Sequence, residues 1–168
     1  YDEGLIRRHE HTLRAKEDDR TRHILTLRAQ TGPVLLACPE SDGLSALMAE
    51  ARQGEPLFEA TGRDGVVHRL WRVRETAPWL SAFAAIPRAY IADGHHRSAS
   101  ASRVAAQRAA ANPRHGGDED YNYFLCVAFP HDEMRILDYN RLVRDLHDQS
   151  PKAFLARIGK QFAVTPVD

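Results

Sequence analysis

Residues Asp93 to Arg97 place a carboxylate, a glycine, two imidazoles and a guanidinium side by side. A short apolar run, Ala89 to Ala92, precedes them, and an alanine-rich segment of helical composition follows. A strand, a glycine turn and a helix start in this order can hold anions, because the first N–H groups of a helix lack intrahelical acceptors and carry partial positive charge. The pattern therefore predicts an anion-binding loop.

Each residue of this loop has a chemical role available to it. Gly94 tolerates positive φ and lets a ligand approach the backbone closely. His95, His96 and Arg97 can donate to a phosphate, and histidine also shuttles protons near neutral pH. Asp93 can hold Mg²⁺ or a ligand hydroxyl; alternatively it merely caps a solvated helix. Three potentially cationic residues at a helix start are unfavourable beside the positive end of the helix dipole. Their presence there favours the interpretation that the loop binds an anion.

A second cluster of polar residues lies near the start of the chain, at 9–12 and 16–20. His9 and His11 are two residues apart, whereas a helical zinc pair needs a spacing of four, so zinc is disfavoured. A solvated charged helix is the plain alternative. The remaining interpretation is that His9 and Arg20 point into the same cleft as the Asp93–Arg97 loop and contact a substrate.

A third group, Asp138 to Arg141, directly follows a strand-like stretch. This pattern is typical of a turn in which Asn140 caps a following helix and Arg141 lies on the protein surface. Alternatively, Arg141 is a second phosphate ligand.

The bulk composition excludes several classes of function. The 168 residues carry 23 basic and 23 acidic side chains, which argues against general affinity for nucleic acid or a polybasic membrane surface. No apolar stretch approaches the length of a membrane span, and no secretory signal is visible. Cys38 and Cys126 lie inside apolar runs, so both are predicted to be reduced, buried strand residues of a cytoplasmic protein. A disulfide stays open, and no neighbouring cation marks either thiol as a nucleophile.

Hydrophobic periodicity and turn residues predict an α+β or mixed-sheet α/β domain over residues 1–168, without strict β-α-β alternation. Helices are predicted at 4–30, 41–53, 78–85, 98–111, 140–146 and 151–158. Strands are predicted at 34–38, 57–61, 66–73, 88–92 and 121–129, the last with a hairpin partner at 134–137, and another strand begins at 162–164. The Asp-Gly pair at 64–65 predicts a hairpin, and 112–120 is predicted to be a mobile loop. Six aromatic residues are predicted to lie in the core: Trp71, Trp79, Phe83, Tyr121, Tyr123 and Phe124.

Three segments of the chain resemble a mostly bacterial family of proteins of unknown function, DUF1015. They are Ile91 to Arg97, Gly4 to Arg22 and Asp138 to Leu146. Members of that family are longer, so the resemblance implies a central fragment as the alternative to a single domain.

The Asp-Gly-His-His-Arg loop is also similar to the Asp-Gly-His-x-Arg loop of free-serine kinases in the ParB/sulfiredoxin-like superfamily. That resemblance implies a mixed sheet with flanking helices and a short loop that binds nucleotide phosphates at a helix start. Gly94, His95, His96 and Arg97 would contact the phosphates of ATP or ADP, and Asp93 would lie near the transferred group or its Mg²⁺. The catalytic acid of those kinases lies far upstream of the loop, and the resemblance assigns it to no residue here. Ser98 stands where members often carry an aromatic residue.

Two classes of function follow. The first is a nucleotide-dependent phosphotransferase acting on a small hydroxylated metabolite such as serine, with Asp93 and His95 as catalytic residues and Arg141 as a further phosphate ligand. The second is a non-catalytic nucleotide-sensing or partner-binding module. A nucleic-acid function is disfavoured, because the net charge is zero and no basic stripe is present.

Overall fold

A computed structural model describes residues 1–166 of the chain. The chain forms two compact units, one spanning Tyr1–Arg135 and one beginning at Ile136. The elements of the first unit, in chain order, are β1 (Ile6–Arg7), α1 (Arg14–Leu27), β2 (Val34–Cys38), α2 (Asp42–Ala51), β3 (Phe58–Thr61), β4 (Val67–Leu70), α3 (Ala77–Ala84), β5 (Ala89–Asp93), α4 (His95–Ala111) and β6 (Cys126–Pro130). The second unit contains α5 (Pro151–Ile158).

The main sheet has four strands in the order β1-β5-β2-β6. β1 runs parallel to β5, β5 runs antiparallel to β2, and β2 runs parallel to β6. The prediction of a mixed sheet in an α/β chain is therefore confirmed. A separate two-stranded sheet pairs β3 with β4 around a turn in which Gly65 has φ +79° and Asp64 accepts the Val66 N–H, which confirms the predicted hairpin.

β2 and β5 are neighbours in the main sheet although much of the chain separates them. Ala37 lies opposite Tyr90, so the end of β2 and the start of β5 are adjacent. Between those two points the chain forms α2, the β3–β4 hairpin and α3, and α2 packs against α3. This stretch, Pro39 to Arg88, thus leaves the sheet and returns to it at the neighbouring position.

The core is centred on β2 and β5, where Val34, Leu36 and Ile91 are buried together. Such alternate burial along β2 follows from the two-residue period of a strand. α4 contacts β2, and α1 packs against α4. The α4 face in that region is made of small buried residues such as Ala99 and Ala101, which lets helices approach closely.

Polar contacts hold α1 against α4. The Ser100 hydroxyl donates to the Glu17 carbonyl oxygen at 3.2 Å, and the Arg103 guanidinium contacts Glu17 at 3.2 Å and Asp18 at 2.8 Å. These contacts hold the start of α1 against the part of α4 that directly follows its first turn.

The predicted helix at 4–30 is wrong in its first third. Gly4 has φ +76°, Ile6 and Arg7 pair with β5, and α1 begins only at Arg14. Tertiary pairing with an existing strand overrides the helical pattern of this segment. α4 begins at His95 rather than at the predicted Ser98, because Gly94 already forms its N-cap.

The predicted strand at 121–129 is also too long. A single 3-10 turn occupies Asp120–Asn122, and β6 covers only Cys126–Pro130. β6 pairs in parallel with β2, so the predicted hairpin with 134–137 is wrong. Within the described residues, 134–137, 140–146 and 162–164 form neither helix nor strand. Ile136 is almost fully exposed and so gains no packing that would order it.

Burial differs from the prediction for one cysteine and for the aromatic residues. Cys38 is buried and its thiol donates to the Phe129 carbonyl at 3.3 Å, but Cys126 is exposed, and both are free thiols. None of the six aromatic residues predicted in the core is buried, and Phe83 and Tyr123 are exposed. Phe124 is nevertheless half-buried and packs against the core cluster, in agreement with the prediction. Trp71, Trp79 and Tyr121 are also half-buried but lie outside that cluster.

No helix found in residues 1–166 combines the length and apolar composition needed to traverse a bilayer.

Candidate functional site

A cavity of about 550 Å³ lies at the junction of β5 and α4. Its wall joins the Asp93–Arg97 loop to the first turns of α1 and to the segment before α1. The lining residues are Glu10, Ala15, Lys16, Asp19, Arg20, Asp93, Gly94, His95, His96 and Arg97. The structure thus brings together two segments that the sequence singles out for their chemistry.

A bulge at the end of β5 turns Asp93 out of the sheet. Leu36 lies opposite Ile91 but Leu35 lies opposite Asp93, so Ala92 is an extra residue in β5. In a regular strand Asp93 would share the face of Ile91, which is 0% exposed. The bulge re-aims the carboxylate, and the Asp93 side chain is 71% exposed.

The start of α4 has no side-chain cap. Gly94 is the N-cap residue with φ +100°, a conformation that L side chains rarely adopt. No side chain bonds to the first turn, so the alternative that Asp93 caps the helix is wrong. The first N–H groups of a 17-residue helix therefore lie at the cavity without an acceptor from the protein's side chains.

The Arg97 guanidinium lies directly over Gly94. Its Nη2 donates to Asp93 Oδ2 at 2.6 Å, and a Cβ placed on Gly94 would lie 3.0 Å from Nη2. Its Nε is buried and has no partner. Asp93 and Arg97 thus neutralise one another at the mouth of the loop, while part of the guanidinium remains available to a ligand.

His95 is the most buried ionisable side chain of the cavity, at 5% exposure. Its Nδ1 lies 3.6 Å from Glu10 Oε2, and the His9 ring packs edge-on against it with centroids 4.5 Å apart. Nε2 is buried and has no hydrogen-bond partner. Burial is the main cause that lowers the pKa of His95, and the charge of His9 lowers it further. The carboxylates of Glu10 and Asp93 act in the opposite direction but do not reverse the shift, so the ring is neutral at neutral pH.

His96 holds the start of α1. Its Nε2 accepts the backbone N–H of Leu13, the N-cap residue of α1, at 3.1 Å. In the neutral ring the proton is therefore on Nδ1, and only Nδ1 can donate to a ligand. His96 couples the first turn of α4 to the first turn of α1.

The α1 side of the cavity contributes two cations. Lys16 and Arg20 are four residues apart and so share a helix face, and both line the cavity. Arg20 makes only a long contact of 4.0 Å with Asp19, and both side chains are more than half exposed. Arg20 thus lies where the sequence places it, and His9 contacts the loop through His95.

Sequence reasoning did not single out Glu10, Lys16 and Asp19 as site residues. The spacing of Lys16 and Arg20 could have shown that both residues lie on one face of a helix. No sequence pattern could have placed Glu10 at the site, because the segment before α1 is neither helix nor strand and its direction depends on tertiary contacts.

Arg141 belongs to the second unit, whereas every lining residue of the cavity belongs to the first. Its guanidinium stacks on the Tyr139 ring at 3.8 Å from the centroid. The alternative that Asn140 caps a helix is wrong, since 140–146 is not helical.

Within residues 1–166, oxygen or nitrogen ligands for a metal ion are available at Asp93 and at a cluster of three side chains. Asp93 is an exposed carboxylate at the end of the cavity formed by the start of α4. Glu40, His131 and Asp132 meet beyond the ends of the parallel strands β2 and β6, with one ligand atom from each within 4.8 Å of the others. All three are exposed, and their proximity alone does not distinguish a metal site from a solvated cluster.

Comparison with known proteins identifies one family. The model of DUF1015, described as a protein of unknown function, matches residues 1–167. Neither the curated proteins nor the solved structures give a match to the chain. Because the family model covers nearly the whole sequence, the chain belongs to the DUF1015 family.

Proposed function

We propose that the cavity at the start of α4 binds the phosphate groups of ATP or ADP with Mg²⁺, and that the protein transfers a phosphoryl group to a small hydroxylated metabolite such as serine. The observation that carries this proposal is the uncapped N-terminus of α4 at the cavity, where the absence of a side chain at Gly94 lets the Arg97 guanidinium lie against the backbone. Helix starts of this kind bind phosphates through backbone N–H groups and the helix dipole.

The charges of the cavity favour a metal-bound nucleotide over a simple anion. Lys16, Arg20 and Arg97 supply three positive charges, while Glu10, Asp19 and Asp93 supply three negative ones. A site for a bare anion has no use for carboxylates, whereas Mg²⁺ binds through one or two carboxylates together with substrate phosphates.

The Asp93–Arg97 ion pair suggests how the nucleotide enters. A phosphate that takes over the Arg97 guanidinium leaves the Asp93 carboxylate without its cation. The bulge that exposes Asp93 leaves that carboxylate at the cavity, where it can ligate Mg²⁺. Nucleotide and metal would thus bind together, with Arg97 on the phosphates and Asp93 on the ion.

Phosphoryl transfer depends on charge neutralisation and positioning more than on covalent chemistry. The cavity supplies both, since Gly94, His95, His96 and Arg97 can contact phosphates from α4 while Lys16 and Arg20 face them from α1. The likeness of the Asp-Gly-His-His-Arg loop to that of the ParB/sulfiredoxin-like free-serine kinases supports the same reaction class.

The alternative of a nucleotide-sensing or partner-binding module has its own support. His96 connects the loop to the N-cap residue of α1, so a ligand that moves the loop would also move that helix. Turnover separates the two functions: a sensor binds the nucleotide without consuming it.

The test is calorimetric titration with ATP, ADP and inorganic phosphate, each with and without Mg²⁺, together with thermal unfolding. A ligand present at about one hundred times its Kd raises the free energy of unfolding by about 2.7 kcal/mol. We expect Mg²⁺ to strengthen ATP binding in the wild type, and Asp93→Asn to remove that dependence on Mg²⁺.

Asp19→Asn is the matched control, because it makes the same charge change in the same cavity away from the loop. It should keep the dependence on Mg²⁺. A wild-type protein that binds none of the three ligands would refute the proposal. Release of ADP in the presence of small hydroxylated metabolites would establish turnover, whereas binding without release would favour the sensor.

A further inference from the structure

We propose that a second cavity of the first unit binds an organic anion, namely a carboxylate with an aromatic or aliphatic body. The cavity has a volume of about 590 Å³ and lies between the end of α1, the second half of α4 and the segment before β6. It shares no lining residue with the cavity at the start of α4. Binding at this second cavity therefore goes beyond the proposed function and does not depend on it.

The lining of the second cavity is mostly apolar, and part of it belongs to the packed interior. Val104 is buried, and Phe124 is half-buried and packs against the core cluster. Ile24 is half-buried, whereas Leu25 and Leu125 are exposed. Ligand cavities in proteins have volumes of about 300–1,000 Å³ and a mostly apolar lining with a few polar groups. The second cavity therefore suits a small molecule with an apolar body.

Polar contacts within the protein hold the wall that the segment before β6 forms. The Gln30 side chain donates to the Tyr123 carbonyl oxygen at 2.7 Å and accepts the Leu125 N–H at 3.0 Å. The Tyr121 hydroxyl lies 2.8 Å from His115 Nδ1. Because these groups are bonded to one another, the wall is fixed and the cavity is preformed.

Two guanidiniums at the second cavity indicate the charge of its ligand. Arg28 and Arg108 line it, and neither forms an ion pair with a residue in the range 1–166. Arg28 is the C-cap residue of α1, where the carbonyl end of the helix attracts a cation without neutralising it. The Arg108 guanidinium lies 5.8 Å from the centroid of the Tyr121 ring. Asp120 also lines the cavity, so two positive charges face one negative charge.

The charges and the apolar lining together select the class of ligand. A neutral apolar molecule would leave both guanidiniums without a counter-charge, and a cation would be repelled. A small inorganic anion would leave the apolar lining in contact with water. A carboxylate with an apolar body covers the lining and pairs with the guanidiniums. The cavity at the start of α4 differs, because its lining carries as many carboxylates as lysines and arginines.

The experiment compares 4-phenylbutanoate with 4-phenylbutanamide, a neutral probe that has the same apolar body. An NMR titration of the nitrogen-15-labelled protein measures each Kd and locates the site from the backbone N–H resonances. We expect 4-phenylbutanoate to shift the resonances of 24–30, 104–108 and 120–125 with a Kd below about 1 mM. The neutral probe should bind about 5- to 10-fold more weakly, because it lacks the charge. Acetate, which has the charge without the apolar body, should leave these resonances in place.

Arginine variants test the role of the two guanidiniums. Arg108→Met removes the charge and keeps an unbranched side chain, so it should weaken the binding of 4-phenylbutanoate about 5- to 10-fold and change that of the neutral probe by less than about twofold. Arg28→Met should act in the same direction. Arg114→Met is the matched control, because Arg114 is an exposed arginine outside this cavity, and it should leave both Kd values unchanged. Arg28 and Arg108 are exposed as well, so we expect all three variants to fold.

Three results would overturn the proposal. The first is equal affinity for the two probes, or an unchanged affinity for 4-phenylbutanoate in both Arg28→Met and Arg108→Met. The second is the absence of shifts at millimolar 4-phenylbutanoate, or shifts confined to Asp93–Arg97 and the start of α1. The third is a dependence of the 24–30 and 120–125 resonances on protein concentration without any probe, which would assign the cavity to a second copy of the chain.

Discussion

Two segments of this chain carry the same polar residue types with different structural support. Asp93 and Arg97 lie at a junction of strand and helix, where they contact one another at 2.6 Å. Asp138 and Arg141 lie in a stretch with neither helix nor strand, where Arg141 stacks on a Tyr139 side chain that is itself 82% exposed. The comparison teaches that residue types suggest a site, and that the neighbouring secondary structure decides whether they converge.

The difference originates in the flanking residues. β5 is paired on both sides and buries Ile91 completely, so the residue that ends it has a fixed position. Leu142, which follows Arg141, is largely exposed and contributes nothing to a core. The first segment is therefore preorganised for a ligand, whereas the second has no rigid support within its own unit.

The largest expected effect concerns the two arginines. Arg97→Ala should weaken ATP binding by about 10- to 100-fold, because a hydrogen bond to a charged group contributes about 1.5–3 kcal/mol. Arg141→Ala is the matched control and should change the Kd by less than about twofold, as expected of an exposed cation. Calorimetric titration measures both. A larger loss in Arg141→Ala would reverse the comparison.

A smaller effect is expected from the glycine of the loop. Gly94→Ala places a Cβ 3.0 Å from the Arg97 guanidinium at φ +100°, so it adds both backbone strain and displacement of Arg97. Gly117→Ala has a similar φ of +103° with nothing within 4 Å, so it adds strain alone. Both should lower the free energy of unfolding by about 1–2 kcal/mol.

The affinity for ATP is expected to differ between Gly94→Ala and Gly117→Ala. Gly94→Ala alone should also weaken ATP binding, since it displaces the guanidinium that contacts the phosphates. Equal affinities for ATP in the two variants, measured at a temperature where both are folded, would show that the position of Arg97 is unimportant.

The smallest effect concerns Glu119, in the segment 112–120 that the sequence predicts to be mobile. Its carboxylate accepts the N–H groups of Gly116 at 2.7 Å and Gly117 at 2.9 Å and lies 3.0 Å from His115. The Gly116 bond is the main cause that lowers the pKa of Glu119 from 4.5 to about 2. The carboxylate therefore orders the loop above pH 4.5, and this contribution is lost as the pH falls towards about 2.

An NMR titration of the side-chain carboxyl checks the pKa, and amide exchange at neutral pH checks the order. Glu119→Gln should raise the exchange rates of the Gly116 and Gly117 amides, whereas Asp118→Asn should leave them unchanged. A Glu119 carboxyl that titrates near its ordinary value would show that these bonds do not persist in solution.

The parts of the fold that sequence could predict are those fixed by local pattern. The strand at 34–38 follows from a short apolar run, the hairpin around Asp64 and Gly65 from turn chemistry, and the helix at 151–158 from a Ser150 cap followed by Pro151. Long-range pairing was not predictable in this way. The parallel pairing of β6 with β2, and of Ile6 and Arg7 with β5, leaves no short-range signal.

In the candidate site, too, the features set by local sequence were predictable and those set by long-range pairing were not. The Asp93–Arg97 loop was visible because its chemistry is contiguous in sequence. The bulge at Ala92, which exposes Asp93, depends on the register of two strands that are distant in sequence. The neighbours of His95 likewise come from the unstructured segment before α1, so only the fold shows that Glu10 faces it.

The path of the chain between β2 and β5 has a consequence for how this family can vary. Because the two strands are adjacent and antiparallel, the stretch from Pro39 to Arg88 occupies the position of an ordinary hairpin loop. None of the cavity's lining residues comes from it. We therefore expect relatives to differ in the length of this stretch, because an insertion within it need not change the strand pairing or the residues that line the cavity.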